Sequence, residues 1–261
     1  MSRRSYGRRP VERHWHCAAT ALVGALLCLM PAAAIAALFS ISPIRTDLDR
    51  QNKTDSITIS NDEAVRKIEM QLKLSLWTQD ANGNDVYTDS EDLVFFPRIF
   101  SVEKQDQRVV RVGLKVPAVG TEKAYRLFFE EQPPAPDPNK SSAQVAFVLR
   151  FGVPVFVRVD NGLALGSIDG IEATPSGLAV IIRNRGNQNF QIQSLSIKSP
   201  AGLDKVIIGG YVLGGGAKRI PVPIPMALCK NLKTLRIIMT TDTIGTIERD
   251  FDWDAGRCGK P

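Results

Sequence analysis

Apolar and polar positions alternate with a period of two along most of the chain. Ile57 and Ile59 stand between polar neighbours in Asp55–Asn61. Ile68, Met70, Leu72, Leu74 and Leu76 repeat the pattern over five positions. Such a period places every apolar side chain on one face of a strand and spreads them around a helix. The pattern recurs at Val110, Val112, Leu114 and Val116, then at Tyr125, Leu127 and Phe129. Asp80-Ala81-Asn82-Gly83-Asn84 contains the Asn-Gly step of a tight strand connection. Residues 131–143 carry four prolines among polar residues and predict an exposed loop.

A long strand is expected at Gln144–Val157, where every odd-numbered residue from Val145 to Val157 is apolar. Its length is about twice that of an ordinary strand, so part of it is expected to serve something beyond its own sheet. Phe151 to Val157 are assigned to the home core. The composition changes at Val159-Asp160-Asn161-Gly162, which reads as an interdomain linker. Shorter strands follow at Gly177–Asn184, Phe190–Lys198, Tyr211–Leu213, Ala217–Val222 and Lys233–Thr241, with turns at Asn184–Asn189, Pro200–Asp204 and Gly214–Gly216. The fold class is all-β, with two sandwich domains.

The amino terminus reads as an address. Arg3, Arg4, Arg8, Arg9 and Arg13 precede an apolar run from Cys17 to Met30, and a small-residue stretch from Pro31 to Ala37 follows. This is the order of a secretory signal peptide, with cleavage expected near Ala36. The run is shorter than the ~20 residues a membrane span needs. Domains are therefore expected at 1–36 (signal), 37–158 and 161–261. The signal segment holds five of the 33 basic residues and one of the 27 acidic residues, leaving 28 and 26, a net charge of +2. A nucleic-acid role loses its basic face.

Cleavage also removes both histidines, His14 and His16. Catalysis by a Ser-His-Asp or Cys-His set is then excluded, as is a metal site built on imidazole. Asp250 and Asp252 form a carboxylate pair, but no base or metal cluster accompanies them. An enzyme is not expected, and no cofactor is implied. Of the four cysteines only Cys229 and Cys258 remain. In an oxidising compartment the two are expected to pair, the alternative being two free thiols.

These residues bring the chain to a known family. Ile44-Arg45-Thr46-Asp47-Leu48 followed by Ser56-Ile57-Thr58-Ile59-Ser60-Asn61, then Phe95-Phe96-Pro97-Arg98 with Gln107-Arg108-Val109-Val110-Arg111, then Glu122–Phe129 before Pro133-Pro134, resemble the amino-terminal domain of PapD-like periplasmic pilus chaperones. The Pro-Val-Phe-Val ending at Val157 is similar to chaperones of archaic, spore-coat-protein-like pili. The resemblance implies two immunoglobulin-like domains in an L-shaped arrangement. It implies a periplasmic binding protein that completes pilus subunits by strand addition and delivers them to an outer-membrane usher, with no nucleic acid or membrane as partner. On it, Val145, Phe147, Leu149 and Phe151 are the donor residues. Arg45 would hold the subunit's terminal carboxylate. The family's lysine partner is replaced by Pro154, and Arg150 is the substitute on the same strand face. Glu122, Arg158 and Asp242 would form an interdomain charge network. A secreted β-sandwich adhesin or structural binding protein is the alternative reading.

Overall fold

The computed structural model describes residues 39–62, 64, 66–133 and 148–259. The first sandwich is built from ten strands. They are β1 (Phe39–Ser42), β2 (Thr46–Leu48), β3 (Thr54–Asn61), β4 (Ile68–Gln79), β5 (Asp85–Asp89), β6 (Leu93–Phe96), β7 (Ile99–Val102), β8 (Gln107–Leu114), β9 (Lys123–Glu131) and β10 (Arg150–Val157). One sheet has the order β1-β3-β8-β6 and the other β2-β10-β9-β4-β5, with β7 pairing the start of β4. The alternating residues meet between them. Ile57, Ile59, Val110 and Val112 from the first sheet pack against Leu72, Leu74, Leu127, Phe129, Val153 and Val155 from the second. Full burial of a Val, Ile, Leu or Phe contributes about 1.5–3 kcal/mol each.

The second sandwich follows with β11 (Gly166–Thr174), β12 (Gly177–Asn184), β13 (Phe190–Ser199), β14 (Leu203–Ile207), β15 (Tyr211–Val212), β16 (Ala217–Pro223), β17 (Thr234–Thr241) and β18 (Thr246–Asp252). Its sheets run β11-β12-β16 and β14-β13-β17-β18, with β15 also on β13. Ile168, Val180, Ile182, Phe190, Leu195, Ile197, Ile237 and Met239 form its core. A short helix, α1 (Met226–Cys229), precedes β17, and Cys229 is joined to Cys258 by a disulfide across 29 residues. Of the described residues, no helix is long and apolar enough to cross a membrane.

One expectation about β10 needs correction. The described strand begins at Arg150, and the expected start at Gln144, with Val145 and Phe147, lies outside the described residues. The home core begins at Val153, not at Phe151. Val153, Val155 and Val157 are buried, while Phe151 is 40% and Leu149 43% exposed. Alternation places the odd-numbered residues on one face but does not fix how far along the strand the core reaches. Pro200–Asp204, read as a turn, gives its last two residues to β14.

Candidate functional site

The face of the β2-β10-β9-β4-β5 sheet on the side opposite its core carries the polar chemistry. Strand register sets its layout. On β10 the even-numbered residues occupy this face, and they sit opposite Ala124 (Phe156), Arg126 (Pro154), Phe128 (Gly152) and Glu130 (Arg150) on β9. Trp77 continues the row on β4 and Tyr87 on β5. Trp77, Phe156 and Leu213 pack into one buried cluster with Tyr211, so the face joins the second sandwich there. The Trp77 ring lies 5.9 Å from Phe156 and 5.6 Å, edge-on, from Tyr211. Gln79 adds a two-point clamp: its Nε2 donates to Tyr211 O at 2.8 Å and its Oε1 accepts from Leu213 N at 3.0 Å.

Backbone direction shows which edge of β10 is open. Glu131 N donates to Leu149 O, so odd-numbered residues turn their peptide groups toward β9. Arg158 N donates to Leu48 O, so even-numbered residues turn theirs toward β2. β2 pairs only with Val155, Phe156 and Val157. The β2-side edge from Arg150 to Pro154 therefore has no strand beside it among the described residues. Beside that edge, on the core side, stand the exposed Leu149 and Phe151.

Two arginines flank the closed end of this edge. Arg45 precedes Thr46, whose register partner is Val155, so it lies level with Pro154. Its guanidinium rests 4.7 Å over Phe156 and 5.4 Å from the Tyr211 ring centre. Burial works against its charge, but Asp47 and Tyr211 outweigh that and raise its pKa. From the other side comes Arg126, opposite Pro154. Its guanidinium stacks 4.2 Å over Trp77, and its Nη1 donates to Gly152 O at 2.9 Å. Because Gly152 O points toward the open edge, Arg126 crosses β10 to reach it. Gly152 makes this possible: a Cβ there would sit 2.9 Å from the Phe128 ring and 3.5 Å from Arg126 Cδ. Among the described residues Arg126 has no carboxylate partner, and its Nε is buried without a hydrogen bond.

Arg150 does not join them. It stacks 3.7 Å over Phe128 and pairs with Glu130 at 2.8 Å, four strand positions from Pro154. At about 3.3 Å of rise per residue, that is ~13 Å away. Its proposed partnership with Arg45 is therefore corrected. Arg126 was missed because it lies on the neighbouring strand, where only the pairing register brings it to Pro154.

Glu122, Arg158 and Asp242 come together through two residues that sequence reasoning did not include in the network. Arg158 Nη1 is 2.5 Å from Glu122 Oε2, and Arg158 Nη2 is 2.9 Å from Asp47 Oδ1. Asp47 is also 3.1 Å from Arg45 Nε, and Arg45 Nη1 is 3.3 Å from Asp242 Oδ2. The result is one chain of alternating charges, Glu122–Arg158–Asp47–Arg45–Asp242, running between the sandwiches. Glu122 has a side chain only 1% exposed. Burial pushes its carboxyl up, opposed by Asn189 and Arg158. Its Oε1 accepts from both Asn189 N and Asn189 Nδ2, which fastens it to the second sandwich. Among the described residues no group of three metal-ligating side chains is present.

A sequence profile described as "Pili and flagellar-assembly chaperone, PapD N-terminal domain" matches residues 38–161. A search of curated proteins gives no match to the chain. Solved structures do resemble it. A chain of the CsuC-CsuE chaperone-tip adhesion subunit pre-assembly complex from archaic chaperone-usher Csu pili of Acinetobacter baumannii is 18% identical, with a TM-score of 0.57 over 81% of this chain and 98% of that one. The Pseudomonas aeruginosa CupB2 chaperone is 15% identical, with a TM-score of 0.53 over 82% and 100%. A chain of the Salmonella enterica SafA pilin complex with the SafB chaperone is 13% identical, with a TM-score of 0.51 over 82% and 95%. Identities this low speak for the fold. The profile covers the whole first sandwich, so residues 38–161 match a PapD N-terminal domain, and the all-β fold of these pilus chaperones is shared along the chain.

Proposed function

We propose that the protein is a periplasmic chaperone that stabilises pilus subunits by lending them the open edge of β10, then delivers them to an outer-membrane usher. Chaperones of this family are periplasmic in general, and the expected signal at 1–36 agrees with that location. The observation that carries the reading is the split in β10. Val153–Val157 are buried at home, while Leu149 and Phe151 stay exposed beside an edge with no partner strand. An incomplete immunoglobulin-like subunit would supply that strand, and the apolar side chains would enter its core. Val145 and Phe147, in the segment before Val148, would extend the donated row.

The subunit's terminal carboxylate would be held at the Pro154 end by Arg45 and by Arg126, which takes the place first given to Arg150. A carboxylate accepts two parallel N–H bonds from a guanidinium, and both arginines are already oriented by aromatic rings. The test is co-expression in the periplasm with a candidate pilin, followed by co-purification. Leu149→Asp combined with Phe151→Asp should weaken the complex more than a hundredfold, because each side chain supplies about 1.5–3 kcal/mol when buried. A complex that survives both changes would refute the strand assignment.

A further inference from the structure

Arg45 already holds two carboxylates in the free protein. Asp47 occupies the fork made by Nε and Nη2, at 3.1 and 3.4 Å. Asp242 Oδ2 meets Nη1 at 3.3 Å from across the cleft. A guanidinium offers a second fork between Nη1 and Nη2. An incoming carboxylate that binds there in two-point fashion uses Nη1, which already donates to Asp242, and Nη2, which it shares with Asp47 through that nitrogen's other hydrogen.

Asp242 is built to let go with one oxygen and hold with the other. Its Oδ1 accepts from Gln191 N at 2.7 Å and from Thr243 Oγ1 at 3.0 Å, both within the second sandwich. Those bonds do not depend on Arg45. When Oδ2 is displaced, Arg45 keeps its bed on Phe156 and Tyr211 and its pair with Asp47. The Arg158–Asp47 and Arg158–Glu122 pairs are likewise untouched. One contact of the charge chain is thus exchangeable while the rest stays fixed.

We propose that Asp242 is a specificity-setting residue: its carboxylate sits on the anchor arginine as an internal competitor that a subunit's terminal carboxylate must displace. The inference rests on the reading of Arg45 as the anchor. It makes the second sandwich a determinant of how tightly the first one holds its client. Carboxylate ends are weakened by Asp242 and uncharged ends are not, so the residue sets affinity and keeps capture reversible.

The experiment uses the mature chain with labelled arginine and sodium acetate as the carboxylate probe, with acetamide as its neutral counterpart, at matched ionic strength. The Nε–H resonance of Arg45 reports binding. In the wild type acetate should shift it saturably and acetamide should not. Asp242→Asn retains an acceptor for Gln191 N and should bind acetate roughly threefold tighter, the factor expected for removing one weak, partly exposed ion pair. Asp242→Ser, which keeps a shorter acceptor, repeats the test should the asparagine variant fold poorly. Asp160→Asn removes an exposed charge that pairs only with Arg50 and should leave acetate affinity unchanged. Wild-type affinity in both Asp242 variants, or the same gain in Asp160→Asn, would overturn the proposal. If acetate does not move Arg45 in the wild type, the anchor reading itself fails.

Discussion

The two sandwiches end their chains in opposite ways. The last strand of the first, β10, runs past its own core and leaves an edge without a neighbour from Arg150 to Pro154. The last strand of the second, β18, pairs along β17 from Thr246 to Asp252, and the tail beyond it is tied to α1 by the Cys229–Cys258 disulfide. Both cores are built from the same residue types. The difference lies in what each does with its boundary. The first sandwich leaves its last strand open on one side and is braced against the second through Trp77, Gln79 and Glu122.

Breaking the closed end should give the largest effect. Cys229→Ser with Cys258→Ser frees a 29-residue span, and the entropy of closing such a loop predicts a loss of about 3.6 kcal/mol. Hydrogen exchange should quicken in β17 and β18 and stay unchanged in β3 and β8. Next comes a contrast within β10 itself. Val155→Ala removes two buried carbons and should cost about 2 kcal/mol, whereas Phe151→Ala should cost less than about 0.5 kcal/mol. Urea unfolding of the two variants measures this; equal losses would mean that Phe151 is held at home. The smallest effect concerns the brace. The raised pKa of Glu122 means that the folded protein takes up a proton there more readily than the unfolded chain. Its contribution to stability is then full below the ordinary value of 4.5 and is lost as pH rises through the raised one. The stability of the wild type relative to Glu122→Gln should fall by less than about 1 kcal/mol over that rise.

Much of the architecture was legible because burial on one face writes a period of two into the chain. β12 was read to its exact bounds, and β4, β9 and β17 to within three residues. β18 was missed because its apolar residues, Ile247 and Phe251, stand four apart on a strand whose other residues are exposed. β11 is bulged between Ile168 and Gly170, which breaks its alternation. At the site, Glu122, Arg158 and Asp242 were found through the family pattern. Asp47, which links Arg158 to Arg45, was not, since nothing in Thr46-Asp47-Leu48 distinguishes a bridging carboxylate from a solvated one. Arg126 escaped for a related reason: it meets Pro154 only through strand register, which periodicity does not give. Segment 134–147, with Val145 and Phe147, lies outside the described residues.

Pro154 has a consequence for the free protein. An open strand edge is a row of hydrogen-bonding groups on which another chain can template, which is the usual route to sheet-to-sheet aggregation. Here the proline contributes no N–H to that row, and Arg126 already occupies the carbonyl of Gly152. The edge is therefore stripped of two of its contacts before any partner arrives. The pairing row is thereby shortened at its Pro154 end, while the N–H groups of Arg150 and Gly152 still face the open side.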